Sequence, residues 1–209
     1  MATVFEQSSQ KLWVSGYPGM EIDLGEGART FSDEEFLDFC RRNPDARIER
    51  NSDGEIEIMA PSHTETGGMN ADITFFLTSW ARQDGTGRTF ESSTGFTLPN
   101  RALRAPDASW ISDRRWNVLS DEDRSGFAQI SPDFVVELRS QSDTLGKLKA
   151  KMREYIENGS SLGWLIDPIE RKVHVYRQGE APEILNDPAE VAGEPVLKGF
   201  VLKMNEIWG

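Results

Sequence analysis

The stretch Ser131-Pro132-Asp133-Phe134-Val135-Val136-Glu137-Leu138-Arg139 decides the fold. Side chains alternate faces along a strand. Phe134, Val136 and Leu138 therefore share one face, while Asp133, Val135, Glu137 and Arg139 share the other. No other segment of the chain carries so strong a strand signal. Downstream, Leu145, Leu148, Met152, Tyr155 and Ile156 form the apolar stripe of a helix from Thr144 to Asn158, with Gly159 as its C-cap. Leu162 to Asp167 then reads as a short buried strand and Lys172 to Arg177 as a half-buried one. Residues 178–209 are loop-rich, with a closing strand or short helix expected between Val196 and Ile207.

Upstream, the run Arg104 to Ile111 is extended, with Pro106 at a strand entrance. Residues 113–128 form a polar connection anchored by Trp116 and Leu119, and Thr89 to Leu98 reads as one strand kinked at Gly95. Before it, Ile73, Phe76, Leu77 and Trp80 recur at helical spacing in a long helix opened by Pro61-Ser62 and stopped by Gly85 and Gly87. Ser32-Asp33-Glu34-Glu35 carries a capping-box spacing at the head of a helix that Asn43-Pro44-Asp45 ends. Residues 46–60 read as a hairpin around Asp53-Gly54. The first thirty residues are Gly-rich and weakly patterned, which suggests an arm or small edge element. The expected architecture is α/β, a central mixed β-sheet flanked by helices. Its expected organisation is an arm over residues 1–30 and a single domain over 31–209.

The chain has 209 residues, 37% of them hydrophobic, which suits a domain able to bury a core without disulfides. Its one cysteine, Cys40, is expected to be a buried structural thiol. A single cysteine and an N-terminal stretch without signal-peptide character point to the reducing cytoplasm. No apolar run is long enough for a membrane span. The net charge of -12 argues against a protein that coats nucleic acid with a basic surface. It leaves room for a nuclease whose carboxylates hold a metal, provided that basic residues gather locally. They do so at Arg101 and Arg104, at Arg114 and Arg115, and at Lys147, Lys149, Lys151 and Arg153, although each cluster reads equally as a solvated face.

Phosphodiester hydrolysis needs a nucleophilic water and neutralisation of charge developing on phosphate oxygens. Hard divalent cations serve both ends and prefer carboxylate ligands. Asp107 and Glu137 stand near the ends of two expected strands and converge in one cleft if those strands are neighbours. Arg139 shares the face of Glu137, so the pair reads either as part of such a site or as a structural ion pair. Asp133 lies about 13 Å along the strand from Glu137, too far to share one metal ion. His63 and His174 have no Cys or His partner at zinc-site spacing. Trp80, Trp110, Trp116 and Trp164 could stack on bases, with core packing the favoured role.

Pro106-Asp107 followed by Glu137-Leu138-Arg139 resembles the PD-(D/E)XK signature of the restriction-endonuclease-like fold. The longer strings Glu65-Thr66-Gly67, Asn70-Ala71-Asp72-Ile73, Ser93-Thr94-Gly95-Phe96, Leu98-Pro99-Asn100, Ala105 to Trp110, Pro132 to Ser140 and Gly163 to Pro168 are similar to the Uma-type family within that superfamily. The resemblance spans about residues 30–178. It implies a Mg²⁺- or Mn²⁺-dependent endonuclease acting on DNA, with RNA a second candidate substrate and a homodimer a candidate assembly. Asp107 and Glu137 would be metal ligands, joined by the Leu138 carbonyl and by Glu65, which reads equally as a capping-box partner of Ser62. Arg139 occupies the signature's lysine position, where an arginine holds charge but cannot serve as a base. Lys151 matches a lysine recurrent in the family and either migrates into the site or snorkels at the surface. The rival expectation is a catalytically inactive binding or regulatory module with Glu137 and Arg139 locked together.

Overall fold

The computed structural model describes residues 31–44, 46–59 and 61–208, together with the backbone of two short strands at 11–13 and 21–23. The chain divides into two compact units, residues 1–60 and 61–209.

In the first unit, β1 (Lys11–Trp13) and β2 (Glu21–Asp23) pair antiparallel; the rest of the expected arm lies outside the described residues. Helix α1 (Asp33–Arg42) opens on the expected capping box. The Ser32 hydroxyl accepts from the Glu35 amide, and the Glu35 carboxylate accepts from the Ser32 amide at 2.8 Å. The helix buries Phe36 and Phe39. The hairpin β3 (Arg47–Arg50) and β4 (Ile56–Met59) follows as expected. Its turn is closed by the Asn51 side-chain oxygen Oδ1, which accepts from the amides of Asp53 and Glu55.

The second unit opens on α2 (Thr64–Asp84), ended by Gly85 at φ 68°, a left-handed cap that costs glycine little. There follow β5 (Gly87–Glu91), β6 (Phe96–Thr97), β7 (Leu103–Arg104), β8 (Ala108–Ser112), α3 (Asp113–Trp116) and α4 (Asp121–Ser125). Then come β9 (Phe134–Leu138), α5 (Leu145–Glu157), β10 (Leu162–Asp167), β11 (Lys172–Arg177), β12 (Glu183–Asn186), β13 (Glu190–Ala192), β14 (Val201–Lys203) and α6 (Asn205–Trp208). Six strands form the main sheet in the order β12-β11-β10-β9-β8-β5. Only β9 and β10 pair parallel; the other four pairings are antiparallel. Parallel neighbours need a long crossover, and α5 supplies it. The architecture is thus the expected α/β fold, a central mixed sheet flanked by helices.

The sheet's two faces carry separate cores. Ala108, Trp110, Phe134, Val136, Leu138, Trp164 and Ile166 face Ile73, Leu77 and Ala81 of α2. Val135, Leu165 and Tyr176 face Met152 and Tyr155 of α5. Trp110 and Trp164 are core residues, whereas Trp116 packs on Phe90 beneath the guanidinium groups of Arg88 and Arg124.

Three expectations need correction. The single strand over Thr89 to Leu98 is two strands, β5 in the main sheet and β6 in a hairpin with β7. The break is a turn in which the Glu91 carboxylate accepts from the Ser93 amide and the Glu91 carbonyl from the Thr94 amide. Gly95 follows against Phe127, where a Cβ would come within 2.9 Å of the ring. The run Arg104 to Ile111 is also interrupted, at Ala105-Pro106-Asp107, because proline has no amide hydrogen for a ladder. Finally, residues 178–209 hold β12, β13, β14 and α6, and Val191, Leu197, Phe200, Leu202, Met204 and Ile207 complete the α2-side core. Phe200 stacks on Trp164 with centroids 5.7 Å apart and contacts Trp80, whose indole N–H donates to the Lys198 carbonyl. Among the described residues, no helix is long and apolar enough to cross a membrane.

Two outcomes follow. Phe200→Ala should cost about 3–5 kcal/mol in urea unfolding, whereas Val201→Ala, at a half-exposed position, should stay within about 0.5 kcal/mol. Burial pushes the Cys40 thiol up to about 11, against an opposing pull from Arg50. The native protein should therefore react slowly with Ellman's reagent at pH 8 and rapidly once unfolded.

Candidate active site

The site forms where β8 begins and β9 ends. The last paired position of these strands is Ala108 with Val136. Asp107 lies one residue before that pair, at a bend outside the ladder, and meets the end of β9 through its side chain. Asp107 stands just past Pro106, and its carboxylate is tied down at both oxygens. Oδ2 accepts from the Leu138 amide at 2.8 Å, and Oδ1 accepts from the Asn70 side chain of α2 at 3.3 Å. Asp107 and Glu137 are 8% and 3% exposed, so each carboxylate depends on donors to remain charged in the interior.

Helix α5 supplies donors for Glu137. The Lys151 ammonium lies 2.9 Å from Glu137 Oε1, and the Tyr155 hydroxyl donates to the same oxygen at 2.9 Å. Residues four apart on a helix share a face, so Lys151 and Tyr155 reach the carboxylate together. Lys151 is largely buried here rather than snorkelling to the surface.

Arg139 takes a different partner. Its Nη1 donates to Asp167 Oδ2 at 2.7 Å and lies 3.9 Å from Glu170. Asp167 is fully buried at the end of β10 and also accepts from the amides of Ile169 and Glu170. The anticipated alternative, a structural pair between Glu137 and Arg139, is replaced by one between Arg139 and Asp167 on the adjacent strand. Glu65 is exposed in the first turn of α2. The N-cap there is His63, not Ser62, so the capping-box alternative for Glu65 is not formed. Asp133 accepts from the Ser112 amide and from Arg115, which gives it a structural task at the start of α3. Of the other basic clusters, Arg104 is engaged by Glu154 at 2.6 Å.

Three participants escaped the sequence. Tyr155 was hidden in an apolar stripe, although its spacing of four from Lys151 was a usable signal. Asn70 and Asp167 had no local signature, because their roles arise from contacts across the fold.

Sheet order and the α5 crossover together define a protein of the restriction-endonuclease-like fold. The family model described as "Uma2: Putative restriction endonuclease" matches residues 33–205, and the chain belongs to that family. Among solved structures it is similar to a protein from Anabaena variabilis titled a "putative nuclease belonging to DUF820". The TM-score is 0.67 at 20% identity, over 77% of this chain and 89% of that one. No curated protein matches the sequence.

His174 lies on β11 opposite Leu165, on the α5 side of the sheet, and its Nε2 has no hydrogen-bond partner. Burial, then the nearby charge of Lys149, lowers its pKa. The unfolded chain therefore binds a proton near pH 6.5 that the folded chain resists. This part of the stability should be complete above about pH 6.5 and should fall as pH drops through that value toward the lower folded pKa. Chemical denaturation at several pH values should show His174→Gln flattening that acid limb, whatever its effect at pH 8.

Proposed function

We propose that this chain is a Mg²⁺- or Mn²⁺-dependent endonuclease that hydrolyses DNA phosphodiester bonds at the Asp107–Glu137 site. The observation that carries this is two buried carboxylates, one just before β8 and bonded to the end of β9, the other on β9 itself, with the Lys151 ammonium 2.9 Å from Glu137. Family membership and the fold of the Anabaena protein point the same way.

The donor set suits a hard cation, which takes carboxylate and carbonyl oxygens. Asp107, Glu137 and the Leu138 carbonyl would hold it, with Glu65 contributing through water. Among the described residues, no group of three or more His, Cys, Asp or Glu side chains could hold a metal ion by itself. Phosphate oxygens and water would then complete the shell, as is usual for Mg²⁺. When bound, the ion supplies Lewis acidity and neutralises phosphate charge. Asn70 and the Leu138 amide fix the Asp107 carboxylate, and Tyr155 fixes Glu137. Lys151, paired with Glu137, would offset charge developing on the phosphate oxygens. Arg139, held on Asp167, positions the end of β9 and leaves the signature lysine's task to Lys151. The expected sign of the inactive-module alternative, an Arg139–Glu137 pair, is not the pairing found: Arg139 is engaged by Asp167, and Glu137 by Lys151 and Tyr155.

Asp107→Ala and Glu137→Ala should each abolish Mn²⁺ binding in calorimetry and cleavage of plasmid DNA. Unchanged Mn²⁺ affinity in both variants would reject the site. Lys151→Ala should retain Mn²⁺ binding while cleavage falls by about 10²–10³-fold, the scale of losing one charge-stabilising donor. Arg139→Ala should act on stability instead, costing about 3–5 kcal/mol by leaving Asp167 buried without its cation.

A further inference from the structure

An open groove of about 640 Å³ runs along α2 beside the β5–β6 turn. Its lining includes Asn70, Thr74, Phe75, Arg82 and, from the turn, Glu91 and Ser92. We infer that this groove seats one unpaired strand of the DNA substrate, with a base stacked on Phe75, and leads it to Asp107. The inference rests on the hydrolytic reading of the Asp107 site.

Four observations carry it. The groove is continuous with the site, because the Asn70 amide that lines it also donates to Asp107 Oδ1. The Asn70 side-chain oxygen is buried and accepts no bond from the protein, an orphan acceptor of the kind that water or a ligand donor fills. Phe75 is 62% exposed, with its ring edge-on to Phe76, and so offers a stacking face. Stacking on an exposed aromatic ring is how unpaired bases are held without sequence preference. In a chain of net charge -12, the groove carries a single carboxylate, balanced by Arg82. Its remaining polar lining is hydroxyl and amide groups, which hydrogen-bond phosphate without repelling it.

The dimensions favour a strand over a duplex. The volume is that of a small-ligand cleft, room for a base and its flanking backbone. Along the helix axis, Phe75 stands about 7.5 Å and Arg82 about 18 Å beyond Asn70. A strand leaving Asp107 would thus meet the amide first, the ring next and the guanidinium last.

The test is fluorescence anisotropy of labelled single-stranded and duplex DNA in Ca²⁺, with hydrolysis of bis(p-nitrophenyl) phosphate in Mn²⁺ as a parallel measurement. Phe75→Ala should weaken single-strand affinity by about tenfold and spare hydrolysis of the small diester, which has no strand to seat. Arg82→Ala should reduce the slope of log affinity against log salt by about 0.7, one phosphate contact to a single strand. Val118→Ala, exposed and outside the groove, should change neither. Unchanged single-strand affinity in both groove variants overturns the inference, as does equal weakening for duplex and single strand. A dimer that Phe75→Ala turns into a monomer without loss of DNA affinity also overturns it and assigns the groove to a second copy of the chain. Failure of the wild-type protein to hydrolyse the small diester counts against the hydrolytic reading instead, and anisotropy still decides the groove.

Discussion

The pairing of β8 with β9 is the constraint on which the site depends. It is antiparallel and stops just short of Asp107. Pro106 cannot extend the ladder, so the chain turns in at Asp107 and the carboxylate, not the backbone, takes the Leu138 amide. One hydrogen bond thereby satisfies a buried donor, ends the strand pair and fixes a charged group at the end of β9. Loss of that bond would leave the Leu138 amide unsatisfied in the interior and take one donor from the carboxylate, which is costly.

Two cations share the same stretch of β9 and are sorted by their partners. Arg139 has a planar fork suited to a carboxylate that needs a permanent partner, and Asp167, fully buried, is such a group. Lys151 arrives from α5 on a flexible stem and meets Glu137 beside the Tyr155 hydroxyl. A compact ammonium on a flexible stem can shift between a carboxylate and a phosphate more readily than a guanidinium fixed on a buried aspartate. The α5 crossover thus does two tasks. It permits the parallel β9–β10 pair, and it brings the lysine over the end of β9.

The opposite face depends on residues far along the chain. Phe200 lies against Trp164 and Trp80, and Met204 and Ile207 fill the space beside α2. These contacts brace the helix from which Asn70 reaches Asp107. Support for the site therefore comes from a segment whose local sequence reads as loop, since short strands of three or four residues carry too little periodicity to stand out.

Much of the fold and the two central carboxylates were legible in the sequence. The α1 capping box, the extent of β10 and β11, the α5 stripe and the placing of Asp107 and Glu137 near strand ends all follow from neighbours in the chain, because capping and periodicity are local. Tertiary structure decided what depends on distance through space. It split Thr89 to Leu98 between the main sheet and the β6–β7 hairpin, with Phe127 closing on Gly95 from thirty-two positions away. It matched Arg139 with Asp167 and Lys151 with Glu137, where spacing along the strand suggested an Arg139–Glu137 pair. Charged side chains choose partners by geometry and burial, and both are set only when helices and strands have packed.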